Sequence, residues 1–314
     1  MIHAAPNGAA GFTTPSEAQT KEIRKVGVLG GGLMGSGIAQ VSAAAGFPTI
    51  VREMTDALGA RSRQSVEKVL AKGIEKGKVT AEQRDSTLRN LRFVTDLGEM
   101  SDCDIFIEAV VEDLEVKNQL WAEIESVAKQ DALFASNTSS LTIVAMAAAT
   151  ARPDRVLGLH FFNPVPLMKL VEVVRTITTS DESEKRALDF VRALGKEPIR
   201  TRDSSGFVVN LLLVPYMLDA INALEANVAS VEDIDKGMQL GAGHPMGPFT
   251  LLDFVGLDTV QKIADIMFAE YREKRYAPPP LLKRMVLAGM LGRKSGRGFY
   301  DYSVEPPRVS ALGL

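Results

Sequence analysis

The hydrophobic pattern changes character near residue 202 and divides this chain in two. Before that point short apolar runs recur, and segments with an apolar residue every three or four positions separate most of them. The runs are typical of buried strands and the segments of amphipathic helices. Strands are predicted at residues 25–29, 49–51, 104–110, 132–136, 156–160, 169–174 and 198–201, with helices at 112–128, 141–150 and 181–194. Alternation of this kind predicts an α/β fold with a doubly wound sheet.

One connection in this predicted sheet is too short for a parallel crossover. Only eight residues, 161–168, join the strand that ends at His160 to the strand that contains Glu172, and two of them are prolines. A parallel crossover needs a dozen or more residues. The two strands are therefore predicted to pair antiparallel, with His160 and Glu172 on neighbouring strands.

From residue 203 onward the strand pattern stops. Apolar helical segments are predicted at residues 207–226, 231–240, 249–269 and 280–290, separated by turns rich in glycine and proline. We therefore predict three parts: an extension at 1–24, an α/β domain at 25–202 and an all-α domain at 203–314. The last domain is so apolar that part of it is expected to bind a second copy of the chain.

Residues 61–90 interrupt the sheet pattern and predict a pair of helices. Val66, Val69, Leu70 and Ile74 recur at helical spacing, and the other face carries Lys68, Lys72 and Lys76. A stripe of lysines is commonly a solvated helix face. Alternatively, the stripe docks a phosphorylated substrate, and the pattern leaves both interpretations open.

A glycine-rich turn follows the first strand. Gly30, Gly32 and Gly35 have the G-x-G-x-x-G spacing, and a helix pattern begins at Leu33 and Met34. Gly30 permits a tight turn, Gly32 lets the backbone approach a pyrophosphate, and Gly35 allows close packing of helix and strand. Free N–H groups at the helix start attract the negative charge. The turn therefore predicts a Rossmann-type dinucleotide site, and a purely structural turn is the alternative.

Glu53 lies at the end of the second predicted strand, 21 residues after Gly32. A Rossmann fold places an acidic residue there to bind the ribose 2′-hydroxyl. An acid would repel a 2′-phosphate, so NAD is favoured over NADP, although Arg52 weakens this preference. A charge that only caps the strand end is the alternative.

Composition narrows the class of protein. The formal net charge of −3 argues against a general nucleic-acid binder. The single cysteine, Cys103, lies in an apolar run and is interpreted as a buried, unreactive thiol, and no metal site is predicted. No apolar window is long enough to span a membrane. Residues 1–24 are small and polar and lack the features of a signal or transit peptide. We interpret them as a disordered extension of a cytoplasmic protein.

Three polar positions are candidates for chemistry. His160 ends a strand, where open α/β sheets bind ligands, and a carboxylate such as Glu172 could orient its ring for proton transfer. The run Ser136 to Ser140 follows another strand, and it either caps a helix or orients a substrate oxygen. Asn210 is a lone amide in an apolar helix and needs a partner, from the protein or from a substrate.

Specific sequence blocks give this chain a resemblance to a known family. The blocks are GGGLMGSGIAQ, IEAVVEDLEVK, ASNTSSL, GLHFFNPVPLMKLVEVV, SGFVVN, HPMGPF, GLDT and GRKSGRGFYDY, spread over about residues 24–302. The chain resembles the L-3-hydroxyacyl-CoA dehydrogenases, and its length is similar to that of their short single-function type. The resemblance implies oxidation of (S)-3-hydroxyacyl-CoA by NAD in a homodimer formed by the helical domain.

The resemblance also implies roles for individual residues. His160 is similar to the family's catalytic base and Glu172 to its orienting partner, while Ser139 and Asn210 match positions that hold the substrate oxygen. Asn163 lies near this pair. Three further residues match positions around the nicotinamide: Glu112, Lys117 and Asn137. The helical pair resembles the arm that covers CoA, which favours substrate docking by Lys72 and Lys76.

Two positions depart from the family pattern. Leu211 stands where many members have Arg, which puts in doubt any substrate preference taken from those members. Glu53 stands where Asp is commoner, but its longer side chain can still reach a ribose hydroxyl. Two other functions remain open from the sequence. One is a related dehydrogenase of a free hydroxy or sugar acid, similar to L-gulonate 3-dehydrogenase, and the other is a non-catalytic dinucleotide-binding protein.

Overall fold

The structure, a computed structural model, describes residues 22–312. The extension predicted at residues 1–24 therefore lies outside the described part of the chain, apart from its last three residues. Within the described range no helix is both long enough and apolar enough to cross a membrane. The same range holds no cluster of three or more His, Cys, Asp and Glu side chains arranged to bind a metal ion.

Residues 26–202 contain one mixed sheet of eight strands. The strands are β1 (Val26–Leu29), β2 (Thr49–Arg52), β3 (Leu91–Val94), β4 (Ile105–Glu108), β5 (Leu133–Ser136), β6 (Val156–Phe161), β7 (Leu170–Arg175) and β8 (Glu197–Arg202). Their order is β3-β2-β1-β4-β5-β6-β7-β8. The first six are mutually parallel, β7 runs antiparallel to β6, and β8 runs parallel to β7. The predicted doubly wound sheet and its antiparallel joint are confirmed.

Eleven α-helices accompany the sheet in the described part of the chain. They are α1 (Leu33–Ala44), α2 (Asp56–Glu75), α3 (Ala81–Arg89), α4 (Leu114–Val127), α5 (Ile143–Ala147), α6 (Asp181–Ala193), α7 (Val209–Glu225), α8 (Val231–Ala242), α9 (Pro248–Val255), α10 (Leu257–Tyr271) and α11 (Pro280–Leu287). One apolar cluster joins the sheet to α1, α2 and α6, and another joins it to α4 and α5. Because both faces of the sheet are covered, parallel strands with continuous apolar runs are stable in its centre.

Strand β3 was not predicted from the sequence. It begins directly after α3, and its four residues place Leu91 and Val94 in the core while Arg92 is exposed. A single charged residue in so short a segment leaves too few apolar positions to show a strand period. Pairing with β2 supplies the backbone hydrogen bonds, so tertiary contacts make it the edge strand.

The predicted helical pair corresponds to α2 and α3, with one correction. Val66 and Leu70 are buried, but Val69 is 45% exposed and does not belong to the buried face. Val66 and Leu70 are four residues apart and lie one above the other, whereas Val69 points to the side of that stripe. The lysines of the opposite face, Lys68, Lys72 and Lys76, are exposed as predicted.

The helices from α7 onward pack around a separate apolar core, which confirms that an all-α domain follows the sheet. The helix predicted over 249–269 is two helices, because Gly256 adopts a φ of +100° that ends α9 and begins α10. A short hairpin also follows the helices, made of β9 (Tyr300–Asp301) and β10 (Arg308–Val309). Each of these strands has two residues, which is too short to be seen as a pattern.

Candidate active site

The glycine turn between β1 and α1 has the geometry that a dinucleotide phosphate requires. Gly30 adopts a φ of +86°, which favours glycine. A Cβ at Gly35 would lie 1.8 Å from the Gly30 carbonyl oxygen, so a side chain there would force the helix off the strand. A Cβ at Gly32 would meet no atom within 4 Å, which leaves space beside the first turn of α1. The N–H groups of that turn, at Leu33 and Met34 among others, have no intrahelical partner and can bind an anion.

Glu53 lies against the same turn. Its Oε1 accepts a hydrogen bond of 2.6 Å from the Gly31 N–H, which places the carboxylate beside the nucleotide turn. The neighbouring Arg52 guanidinium instead donates to the Thr95 carbonyl at 3.3 Å. A negative charge therefore stands at the turn, where the ribose of a dinucleotide is expected.

Ser62 attaches the helical pair to the nucleotide turn, a contact that was not predicted. Its hydroxyl donates to the Gly31 carbonyl at 2.7 Å, and a Cβ at Gly31 would lie only 2.2 Å from its Oγ. Ser62 shares the buried side of α2 with Val66, which was the only sign of its role in the sequence. The contact requires small groups on both elements, so α2 packs directly against the turn at Ser62.

A buried ion-pair network lies at the carboxyl ends of β4 and β5. Lys117 is 1% exposed, and its Nζ lies 2.6 Å from Glu108 Oε1 and 3.2 Å from Glu112 Oε2. Ser136 donates to the other oxygen of Glu108 at 2.5 Å. The sequence showed Lys117 and Glu112, but Glu108 was hidden in an apolar run. This network holds an ammonium group between two carboxylates, out of contact with water.

Glu112 also receives hydrogen bonds from the polar run after β5. The Thr138 hydroxyl donates to its Oε1, as do the Ser140 hydroxyl at 3.1 Å and the Ser139 N–H at 3.3 Å. Burial alone would raise the pKa of Glu112, but the charge of Lys117 and these hydrogen bonds outweigh burial and lower it. Glu112 therefore stays ionised and fixes the backbone of this run.

Asn137 joins the ends of two strands. Its Oδ1 accepts a hydrogen bond from the Phe161 N–H at 2.9 Å, and its own N–H donates to the Glu108 carbonyl at 2.8 Å. These bonds position the segment after β5 beside the end of β6. Asn137, Ser139 and His160 consequently lie together at the carboxyl ends of the neighbouring strands β5 and β6.

His160 and Glu172 form a buried pair. The imidazole Nδ1 lies 2.6 Å from Glu172 Oε2, and Glu172 is fully buried. The second oxygen, Oε1, accepts hydrogen bonds from the Val208 and Val209 N–H groups at 2.9 and 3.0 Å. A carboxylate at Nδ1 fixes the tautomer, so Nε2 is the nitrogen that is left to accept a proton.

The remaining candidates lie at different distances from this pair. Asn210, in the first turn of α7, donates to the Ser139 carbonyl at 3.4 Å, so these two residues are adjacent. Asn163 is exposed three residues after His160, and in the described range no hydrogen bond joins it to the pair. Lys72 lies further along α2 than Ser62, at roughly 15 Å by the helical rise, and Lys76 directly follows the far end of the helix. They are therefore remote from the nucleotide turn.

Outside the site, His244 makes a contact within the helical domain, and Cys103 is buried as predicted. His244 Nδ1 lies 3.1 Å from the Tyr216 hydroxyl, which is consistent with a structural hydrogen bond. Cys103 is buried, and burial raises the pKa of its thiol to about 12, the charge of Lys25 opposing the shift. A thiol with so high a pKa carries almost no thiolate at neutral pH and is a poor nucleophile.

Two buried aspartates of the helical domain hold the HPMGPF and GRKSGRGFYDY blocks in place. Asp235 accepts from the Phe249 N–H at 2.7 Å and the Tyr300 hydroxyl at 3.0 Å. Asp253 accepts from the Phe299 N–H at 2.9 Å and the Tyr300 N–H at 2.8 Å. Both blocks thus contribute to the interior of the helical domain, and no motif in the sequence predicts their acidic partners.

Comparison with known proteins identifies this combination of elements. A nucleotide-binding turn with an acidic residue, a His–Glu pair at the strand ends and a helical domain together define a two-domain dehydrogenase. The model for "3-hydroxyacyl-CoA dehydrogenase, NAD binding domain" matches residues 25–204, and that for "3-hydroxyacyl-CoA dehydrogenase, C-terminal domain" matches residues 206–302. The chain belongs to the 3-hydroxyacyl-CoA dehydrogenase family and is an NAD-dependent oxidoreductase.

Individual relatives match over nearly their whole length. The chain is 54% identical over 282 residues to a 3-hydroxybutyryl-CoA dehydrogenase of Mycobacterium tuberculosis, covering 89% of this chain and 99% of that protein. It is 45% identical to the human mitochondrial hydroxyacyl-coenzyme A dehydrogenase over 297 residues, which cover 92% of this chain and 95% of the human protein. The crystal structure of (S)-3-hydroxybutyryl-CoA dehydrogenase from Ralstonia eutropha aligns with a TM-score of 0.87 and 40% identity. The alignment covers 90% of this chain and 100% of that one. The resemblance seen in the sequence is confirmed.

Proposed function

We propose that this enzyme oxidises short-chain (S)-3-hydroxyacyl-CoA to 3-oxoacyl-CoA, reversibly, with His160 as the base. The observation that carries the proposal is the 2.6 Å contact between His160 Nδ1 and Glu172 Oε2 at the carboxyl end of the sheet. Open α/β sheets bind their ligands outside this edge. A base in this position suits the removal of a hydroxyl proton beside a dinucleotide.

The buried carboxylate determines how His160 acts. Glu172 accepts the Nδ1 proton, so Nε2 takes the proton of the 3-hydroxyl group. As that proton moves to Nε2, the ring becomes positively charged, and Glu172 stabilises the charge. NAD, when bound, supplies the acceptor for the hydride that leaves C3. In the reverse direction the protonated ring returns its proton to the oxygen of the 3-oxo group.

Neighbouring groups orient the substrate and the cofactor in this proposal. Ser139 and Asn210, which lie side by side, hold the substrate oxygen close to His160, and Asn163 borders the same space. The nicotinamide end of NAD is held by Glu112, Lys117 and Asn137. Lys117 stabilises Glu112 as an anion, so these residues act together rather than singly. The backbone N–H groups after Gly32 hold the pyrophosphate.

Glu53 makes NAD the preferred cofactor. Its carboxylate beside the Gly31 N–H is available to a ribose hydroxyl and repels a 2′-phosphate. The lysines of α2 act at the other ligand, since CoA carries phosphate groups at the end remote from its thioester. Lys72 and Lys76 are exposed and belong to no ion pair in the described range, so their charge is available to CoA phosphates.

The names of the relatives and the exposed surface support three further parts of the proposal: acyl-chain length, assembly and location. The Mycobacterium and Ralstonia relatives are named as 3-hydroxybutyryl-CoA dehydrogenases, which supports a four-carbon acyl group. Leu212, Leu240 and Leu287 on three helices of the helical domain are exposed, which supports a homodimer through that domain. We retain a cytoplasmic location as an expectation, although relatives also include mitochondrial enzymes.

A substrate comparison tests the proposed function. Acetoacetyl-CoA, free acetoacetate and gulonate are compared in one assay that follows NADH. We expect turnover with acetoacetyl-CoA and little with the free acids, because only acetoacetyl-CoA contains the CoA phosphates to which the α2 lysines are proposed to bind. Equal activity on a free acid would favour a sugar-acid dehydrogenase. NADH binding without any turnover would favour a non-catalytic protein.

A further inference from the structure

The backbone that joins the two domains has an unusual conformation beside the His160–Glu172 pair. Gly206 has a φ of +84° and Phe207 a φ of +49°, so two successive residues are left-handed. The other non-glycine residues with positive φ in the described range are Asn227 and Arg272, and both are exposed at helix ends. Phe207 is different because it is 1% exposed and is a bulky residue, for which this conformation is unfavourable.

The left-handed turn directs two backbone N–H groups at one carboxylate oxygen. Val208 and Val209 follow Phe207 immediately, and both donate to Glu172 Oε1. Since the other oxygen, Oε2, contacts His160, the two oxygens of Glu172 are divided between the base and the helical domain. Burying a carboxylate is costly unless its oxygens receive hydrogen bonds, and these two amides supply them to Oε1.

The ring of Phe207 also contacts the base directly. Its centroid lies 5.5 Å from the centroid of the His160 imidazole, and Phe162 lies at 4.5 Å. The turn itself is covered by α10, because a Cβ at Gly206 would lie 2.7 Å from the Met267 Cε. Both the imidazole and the turn are therefore enclosed by apolar groups. Phe207 takes part in both, through its ring at the imidazole and through its backbone in the turn.

We propose that Phe207 is a positioning residue for the reaction, acting on both members of the pair. Its backbone aims the Val208 and Val209 amides at Glu172, and its ring limits the movement of His160. His160 and Glu172 both belong to the NAD-binding domain, and the helical domain thereby supplies the contacts that hold them in place. This inference rests on the proposed role of His160, but it makes a separate claim about what holds that residue.

The test compares Phe207→Leu with Phe249→Leu. Both residues are fully buried phenylalanines, but Phe249 lies in the core of the helical domain and packs on Phe299. The two variants lose the same ring, so Phe249→Leu controls for loss of stability. The first readout is the downfield ¹H NMR resonance of the His160 Nδ1 proton, identified by its absence in His160→Gln. The second readout is steady-state kinetics, which measures kcat and KM for acetoacetyl-CoA separately.

We expect the resonance to move upfield or broaden in Phe207→Leu and to stay in place in Phe249→Leu. We also expect kcat to fall about 10- to 100-fold in Phe207→Leu, because a small misplacement of a reacting group has this effect. KM and the Kd for NADH should change less than about twofold. If Phe207→Leu does not fold, Phe207→Met replaces it, because methionine fills irregular gaps.

An unchanged resonance in the Phe207 variant overturns the proposal, whatever happens to kcat. A lost resonance with kcat unchanged also overturns it, since the contact would then not matter for turnover. Failure of the proposed function is recognised separately. In that case His160→Gln would retain wild-type turnover, while the NMR comparison would still report whether Phe207 positions the ring.

Discussion

His160 and Glu172 are direct partners across the antiparallel ladder of β6 and β7. Directly opposite residues on one face of a ladder have side chains within contact distance. The pairing of the two strands therefore sets the geometry of the pair, and the turn between them need not contribute a side chain. A slip of one residue would turn one of the two side chains to the opposite face of the sheet.

Replacing His160, the proposed base, should abolish most of the turnover. His160→Gln keeps a side chain of similar size but cannot accept a proton, and general base catalysis is worth about 10²- to 10⁴-fold in rate. We expect kcat to fall by that factor, while the Kd for NADH is retained. His244→Gln is the matched control, because His244 contacts Tyr216 in the helical domain. Unchanged turnover in His160→Gln would exclude His160 as the base.

Reversing the charge of the α2 lysines should weaken substrate binding. In Lys72→Glu with Lys76→Glu, two positive charges that we propose bind the CoA phosphates become repulsive, so KM for acetoacetyl-CoA should rise more than kcat falls. The rise should shrink at high salt, because exposed charges are screened. Lys274→Glu with Lys283→Glu changes the net charge equally on exposed positions elsewhere. If both double variants have the wild-type KM at low salt, the stripe is only a solvated face.

Removing the buried ammonium should cost much more stability than removing an exposed one. Lys117→Met leaves Glu108 and Glu112 without their cation, and breaking a buried pair costs about 3–5 kcal/mol. Lys25→Met breaks a more exposed pair with Asp102 and should cost about 0–1 kcal/mol. Urea unfolding of the two variants measures the difference. Equal losses would mean that the network contributes little to the free energy of unfolding.

Stability should depend on the ionisation of Glu112 at acidic pH. The folded state lowers the pKa of this carboxyl below its ordinary value of 4.5, despite burial, through Lys117 and three hydrogen bonds. Below the ordinary pKa the unfolded chain binds the proton more readily. The stabilisation is therefore complete above pH 4.5 and is lost as pH falls through the lower, folded-state pKa. Glu112→Gln should reduce the fall in the urea midpoint on acidification, and an identical fall would contradict this assignment.

Neutralising Glu53 should relax the choice of cofactor. Glu53→Gln keeps an oxygen that can accept the Gly31 N–H but removes the charge that repels a 2′-phosphate. We expect KM for NADPH to fall relative to KM for NADH. Glu22→Gln, at an exposed glutamate remote from the turn, is the control. An unchanged ratio of the two KM values would show that another group selects the cofactor.

The parts of the site that could be predicted from sequence are those set by short-range rules. The glycine turn is recognised from the spacing of its glycines, and the position of Glu53 from the length of one β-α-β unit. The antiparallel joint follows because only eight residues connect the two strands. Each of these is a constraint on chain length or backbone conformation. For the same reason, chain length alone predicts that His160 and Glu172 lie on neighbouring strands.

The parts that were missed depend on contacts between distant segments. Glu108 lies in a strand that is otherwise apolar, and only the structure shows that Lys117 pairs with its charge and that Ser136 donates a hydrogen bond to it. Val69 has the spacing of a core residue but is exposed, because helical spacing does not say where the core ends. The role suggested for Phe207 depends on a φ angle, which composition does not reveal.

The hydroxyl of Ser62 on the Gly31 carbonyl has a consequence for protein engineering. A designer who exchanges the α2–α3 hairpin between homologues, in order to alter acyl-CoA selectivity, would also exchange one wall of the dinucleotide turn. The fit tolerates almost no extra volume, since even a methyl group at Gly31 would collide with Ser62. Grafts should therefore retain serine at position 62 and glycine at position 31 as a matched set. Chimaeras that ignore this pairing would lose cofactor affinity before their new substrate preference could be observed.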